Sequence, residues 1–245
     1  MNIKERVIAA LRGEEPDRIP WIILSVLLPR GQFEREIRNM GLGLVIWPTV
    51  YEEETPNVRV EQRISRGIRE TIYHTPVGSV STKVRISGLG YDTWWTTEFM
   101  IKDTSDYDVV KFIIEDTVYH PNYDAFLDAE RELGTDGIAC AAGKRSPIQQ
   151  LLLELMGYKR FSIDLYRNRL EFEKLLKVME EKTFELYRII ADSPAEVVWI
   201  PDNINGIVTS PKIFEKYCVP FYNKLAHLLH SKDKIISVHM DGRLK

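Results

Sequence analysis

The residues best equipped for chemistry gather behind two apolar runs. EVVWI, residues 196–200, leads into Asp202, Asn203 and Asn205, and IISVHM, residues 235–240, carries His239 and is followed by Asp241. Side chains alternate along a strand, so His239 and Asp241, two positions apart, share one side if the strand extends that far. An imidazole and a carboxylate so placed can ligate a metal, or the carboxylate can hold the ring for proton transfer. A second reading stands beside this one: His239 as a half-buried ring satisfied by hydrogen bonds, next to a turn aspartate before Gly242. Asp202 also has two readings, as a group that orients substrate or as a cap for the loop and helix that open at Ser210 and Pro211. His227 and His230 belong to a solvated helix end, and Cys140 and Cys218 read as small core residues. The sequence contains no G-x-x-x-x-G-K-[ST], G-x-G-x-x-G, H-E-x-x-H or C-x-x-C. NTPase, dinucleotide, zincin and thioredoxin chemistry therefore have no support.

Strand ends carry ligand sites in parallel α/β folds, so the elements that would bring these ends together come next. Asn2 and Glu5 frame a capped opening helix that ends at Gly13. The apolar runs Ile19–Leu28 and Leu42–Trp47 enclose a helical stretch, Gln32–Asn39, and predict a parallel βαβ unit. Residues 58–100 alternate instead, with the turn HTPVG at their centre, and predict an antiparallel excursion beside the main sheet. At its end Trp94, Trp95 and Phe99 read as a pocket wall or as plain packing. The α/β rhythm resumes with helix Asn122–Leu133, strand Gly137–Ala142, helical Pro147–Met156, a short helix at Phe161–Tyr166 and a long helix Leu170–Ala191. A strand at Glu196–Ile200, a turn at PDNING, a helix kinked at Pro220 and a strand at Ile235–Met240 complete the reading.

Composition narrows the classes of function. At 245 residues, 44% hydrophobic, with a net charge of −3 and two cysteines, the sequence is that of a globular chain. It has neither the basic footprint of a nucleic-acid binder nor the roughly 20-residue apolar run of a membrane span. Its start is too charged for a secretory signal, and a cytoplasmic protein is expected.

Several stretches then resemble the uroporphyrinogen decarboxylase superfamily, which includes cobalamin-dependent methyltransferases: ERVIAALRGEEPDRIP, TPVGS, MGYKRF and, above all, PDNINGIVTSPKIFEKYCVPFYNKLAHLLHSKDKIISVHMDG. The resemblance implies an α/β fold of the TIM (β/α)8 type. It also brings departures. Where decarboxylases carry R-Q-A-G-R after the first strand, this sequence has LPRGQFER, leaving Arg30 and Arg35. Pro48 and Thr49 stand where the essential aspartate is expected, and Leu153 stands at the tyrosine position. The zinc motif of the methyltransferases, H-x-C-G, becomes His239-Met240-Asp241-Gly242.

On this basis the resemblance implies a metal-assisted, corrinoid-dependent methyl transfer. His239 and Asp241 would be the metal ligands, Asp202, Asn203 and His239 the catalytic set, and Arg30, Trp94 and Trp95 the substrate contacts. Zinc and a corrinoid, the latter on a partner protein or as substrate, are the implied cofactors. Tetrapyrrole decarboxylation and non-catalytic corrinoid or tetrapyrrole binding are the alternatives. The expected partners are a small-molecule substrate and a corrinoid protein, with no nucleic acid or membrane. Only five parallel strands are counted, so residues 1–245 are expected to form a single incomplete barrel domain, truncated by about 100 residues on the usual size of such modules. A second copy of the chain is expected to cover the open sheet edge.

Overall fold

The structure is a computed structural model that describes residues 1–86, 94–241 and 243–244. Helix α1 (Ile3–Leu11) opens with a reciprocal cap: the Asn2 side chain accepts from the Glu5 amide, and the Glu5 carboxylate accepts from the Asn2 amide, both at 2.9 Å. Two otherwise orphaned amides are thereby satisfied. Strand β1 (Ile22–Leu24), a 3-10 turn (Ser25–Leu27), helix α2 (Gln32–Asn39) and strand β2 (Gly43–Ile46) form the parallel βαβ unit, with Ile22 opposite Gly43. β1 is much shorter than the apolar run Ile19–Leu28. That run lies along the sheet edge, where Ile19 is 89% and Val26 76% exposed, and the chain leaves the sheet at Ser25.

Next comes strand β3 (Tyr51–Glu54), then β4 (Arg59–Ser65), β5 (Ile68–Thr75), β6 (Gly78–Ile86) and β7 (Trp94–Glu98). β4 to β7 pair antiparallel in chain order, so the excursion is a four-stranded sheet. Its first turn is Arg66-Gly67, with φ of 49° and 73°, the left-handed pair that joins twisted strands through two residues. Helix α3 (Asp106–Asp116) leads to strand β8 (Val118–Pro121), which pairs antiparallel with β3 as a separate ribbon.

The remaining elements return to α/β order: helix α4 (Asp124–Leu133), strand β9 (Gly137–Ala142), helix α5 (Pro147–Gln150) running through a π-helical stretch (Leu151–Met156) into α6 (Gly157–Arg167), then helix α7 (Arg169–Asp192) and strand β10 (Val197–Ile204). Helix α8 (Pro211–Ile213), a second π-helical stretch (Phe214–Cys218), helix α9 (Val219–His230) and strand β11 (Ile235–Met240) follow. Pro220 cannot donate to a helical bond, and the wider turn ahead of it accommodates the missing donor.

The five parallel strands lie in the order β1-β2-β9-β10-β11 and curl into part of a (β/α)8 barrel, with β1 and β11 at the edges. Alternation divides the core between the two faces. Ala139, Ala141, Val198 and Ile200 pack outward against Phe184, Tyr187 and Ile190 of α7 and Phe221, Leu225 and Leu229 of α9. Ile138, Cys140 and Val197 point inward, where Val7 of α1 and the rings of Trp47 and Trp199 join them. Each large side chain buried this way contributes about 1.5–3 kcal/mol. No helix among the described residues is long and apolar enough to cross a membrane.

Candidate functional site

β10 runs on through Pro201, Asp202 and Asn203, a segment the sequence reading ended at Ile200 as a turn. Its ladder with β11 is irregular here: Ile200 faces Val238, and the next pair is Ile204 with Met240. Such a bulge accommodates Pro201, which has no amide to give the ladder, and re-aims the side chains around it. Alternation continues through the bulge, so Asp202 turns to the helix layer and Asn203 to the concave face.

His239 stands across the bulge from these residues. Its Nδ1 lies 2.9 Å from the Asp202 carbonyl oxygen and 2.7 Å from Asn203 Oδ1. A carbonyl oxygen can only accept, so Nδ1 carries the proton and the neutral ring keeps its lone pair on Nε2. Two acceptors on one N–H also fix the plane of the ring.

Asp202 acts from behind this arrangement. It is fully buried; Oδ1 accepts from the Ser146 amide at 2.8 Å and Oδ2 from the Tyr222 hydroxyl. Burial raises its pKa, with the Ser146 and Tyr222 bonds and the nearby Arg145 opposing that shift. Arg145, just beyond β9, donates to the Pro201 carbonyl and to Glu154 Oε1 at 2.9 Å. The carbonyls of Pro201 and Asp202 are thus both engaged, and the backbone that receives His239 is tied on each side.

The concave face holds a cavity of about 590 Å³, within the range of small-molecule sites. His239, Asn203, Arg145 and Ser237 contribute its polar lining. Val45, Ile138, Cys140 and Val197 contribute apolar lining together with Trp47 and Trp199, whose rings stack 3.9 Å apart at 3°. Burial pushes the Cys140 thiol up to about 12, so it is a wall and not a nucleophile.

Residues 102–245 match the family model for uroporphyrinogen decarboxylase (URO-D). The chain belongs to the uroporphyrinogen decarboxylase family. The matched segment holds β9, β10 and β11, and with them every polar residue of the site named so far. A solved structure, a methyltransferase from Methanosarcina mazei, is similar over 99% of this chain and 70% of that one, with a TM-score of 0.51 and 15% identity, which is a likeness of fold. No curated protein matches the sequence.

Within this uroporphyrinogen decarboxylase family member, the residues proposed from sequence are placed unevenly. His239 and Asn203 meet at the cavity, and Asp202 contributes its carbonyl there while its carboxylate faces the helices. Asp241 is exposed, its amide donating to the Ile204 carbonyl at 3.1 Å, and it does not line the cavity. Arg30, with 74% of its side chain exposed, pairs with Glu34 at 2.7 Å on α2. Trp95 is 73% exposed on β7; Trp94 pairs with Ile86 in the ladder, and its side chain lies outside the described residues, as does Gly242. Trp47, Trp199, Arg145 and Ser237 line the site without having been singled out. Ser237 was readable, being two residues before His239 on the same strand.

The zinc of the family's methyltransferase branch takes three protein ligands in a catalytic site. Among the described residues no three His, Cys, Asp or Glu side chains gather in that way. His239 has the right outer partners for a ligand, since metal-binding histidines commonly give their other N–H to a carbonyl. One ring nitrogen falls short of what a resident zinc takes, so the described residues do not fit that ion.

Proposed function

We propose that this chain is a methyltransferase-like member of the family. A small acceptor occupies the concave cavity with its nucleophilic oxygen, nitrogen or sulfur at His239 Nε2, and a methylated corrinoid, free or on a partner protein, is the methyl donor. His239 takes the acceptor's proton as the acceptor's lone pair forms the new bond to the methyl carbon. The donor keeps the electron pair of the bond that breaks. A base positioned in this way contributes typically 10²- to 10⁴-fold. Asn203 and the Asp202 carbonyl hold the ring, and the apolar wall keeps water from the transferring group.

The observation that carries this reading is the pair of acceptors on His239 Nδ1. Decarboxylation of a polycarboxylated tetrapyrrole would call for several cations. Among the described residues the cavity lining holds one, Arg145, which already serves Glu154 and the Pro201 carbonyl.

The test is demethylation of methylcobalamin, followed by its absorbance, with a panel of thiol, amine and phenol acceptors. Acceptor-dependent turnover that falls at least 100-fold in His239→Ala is expected. Turnover unchanged in that variant, or release of carbon dioxide from uroporphyrinogen with no methyl transfer, would overturn the proposal.

A further inference from the structure

The lining of the His239 cavity restricts what can occupy it. Its flattest part is the pair Trp47 and Trp199, whose rings lie parallel, 3.9 Å apart at 3°. Each ring spends one face on the other, and Ile138, Cys140 and Val197 pack around the pair. Aromatic ligands gain from offset or edge-on contact with such rings. The strand register sets the distance from this wall to the base. Trp199 stands opposite Ser237 in the β10–β11 ladder, and Ser237, like His239, lines the cavity. His239 is two residues further along the same strand, about 6.6 Å at the usual rise. One aromatic ring with its hydroxyl, plus a hydrogen bond, spans that step.

Charge disfavours two classes of ligand. Among the described residues the lining has no Asp or Glu, so an ammonium would lose its water without gaining a counter-ion. Arg145 is the one Lys or Arg in the lining and is paired with Glu154 at 2.9 Å, so a carboxylate finds no unpaired cation. An uncharged ligand suits the cavity on both counts. Acidity narrows the choice further. With its proton on Nδ1, His239 offers Nε2 as an acceptor, and the ligand must be able to give up a proton to it. A phenol ionises at about pH 10, far below the roughly 15.7 of bulk water, which alcohols resemble. An aliphatic thiol is acidic enough but has no ring to lay on the two indoles.

We propose that the ligand of this cavity, and the acceptor in methyl transfer, is an uncharged phenol, with its ring against Trp47 and Trp199 and its hydroxyl donating to His239 Nε2. The fate of the phenol rests on the methyl-transfer reading, whereas its binding rests on the cavity alone. In the transfer the phenol oxygen forms the bond to the methyl carbon, its proton passes to Nε2, and the electron pair of the broken bond stays with the methyl donor.

The probe is 4-methylphenol, titrated calorimetrically into the whole chain beside 4-methylcyclohexanol, 4-methylbenzoate and 4-methylbenzylamine. One 4-methylphenol per chain is expected, bound at least tenfold more tightly than the other three compounds and weakened at least tenfold in Trp199→Leu and in His239→Ala. If Trp199→Leu fails to fold by circular dichroism, proton NMR with wild type decides, because the indole ring currents should move the signals of bound 4-methylphenol upfield. No binding at millimolar concentration, equal binding of 4-methylcyclohexanol, unchanged binding by folded Trp199→Leu, or the absence of an upfield shift would overturn the proposal. The two readings fail separately. Methylation of an aliphatic thiol by a chain that does not bind 4-methylphenol would overturn this inference and leave methyl transfer standing. Binding of 4-methylphenol as expected, with no methylation of it or of any other acceptor, would do the reverse.

Discussion

His239 gains its chemistry from two oxygens that can only accept. Each removes one freedom from the ring: the Asp202 carbonyl fixes which nitrogen is protonated, and Asn203 fixes the plane. Asn203→Leu should therefore lower methyl transfer about tenfold without the loss of fold that a core residue would bring, as single-turnover rates beside urea unfolding curves will show. Asp202 calls for the opposite division. Asp202→Ala leaves the Ser146 amide and the Tyr222 hydroxyl buried without their acceptor and should cost about 2–4 kcal/mol in urea unfolding. Its pH dependence has a definite sign. Burial raises this carboxyl above the ordinary aspartate value of 3.8, so the folded chain holds the proton more tightly than the unfolded one. Its contribution to stability is greatest below 3.8 and declines as pH rises from there toward the raised folded value. Wild type should accordingly lose stability relative to Asp202→Asn on going from pH 3.5 to pH 7, and a difference independent of pH would show that the carboxyl is not strained by burial. His239 itself was legible in the sequence as a chemical group on a strand end. Its partners were not, because the reading stopped β10 at the proline.

At the scale of elements, periodicity revealed what packing against a partner had imposed on the sequence. α7 and β11 were read to within a residue or without error, since one carries a long apolar stripe and the other a continuous apolar run. β3, with sequence YEEE, carries one apolar residue in four and gives no such signal. It is a strand because β8 lies beside it. β10 was cut short because proline in a strand interior usually argues against the strand, whereas here the bulge removes the need for its amide. The excursion was seen as antiparallel, and its four strands do pair in chain order, the first three across two-residue turns. One position tests the sheet geometry sharply. β2 and β9 approach so closely at Gly137 that a Cβ there would overlap the Leu44 carbonyl, which cannot move without breaking the ladder. Gly137→Ala should cost about 3 kcal/mol or more, well above the cost of glycine replacement in open strand. A variant as stable as wild type in urea would disprove the close approach.

The molecule as a whole places an apolar concave face and two sheet edges, β1 and β11, next to the candidate site. Ile19, Trp21, Val26 and Phe33, all on the β1 side, are each more than half exposed. Edges of this kind pair with further strands, so sedimentation velocity should show self-association that rises with concentration and falls in Val26→Lys. A single monomeric species at every concentration would remove the second copy from the account. Burial pushes both thiols, Cys140 and Cys218, up to about 12. A thiol-exchange reagent at pH 8 should label them only as the chain unfolds, and rapid labelling of both in buffer would contradict the packing of both cavity wall and helix layer. The chemistry of the site turns on one proton, that of the His239 ring. Nitrogen NMR of the chain labelled at its five histidines, with His239 assigned by its loss in His239→Gln, reads it directly. Nδ1 of the neutral His239 ring should be protonated and pyrrole-type, and Nε2 unprotonated. A proton on Nε2 instead would turn the lone pair toward the Asp202 carbonyl and contradict the role assigned to the residue.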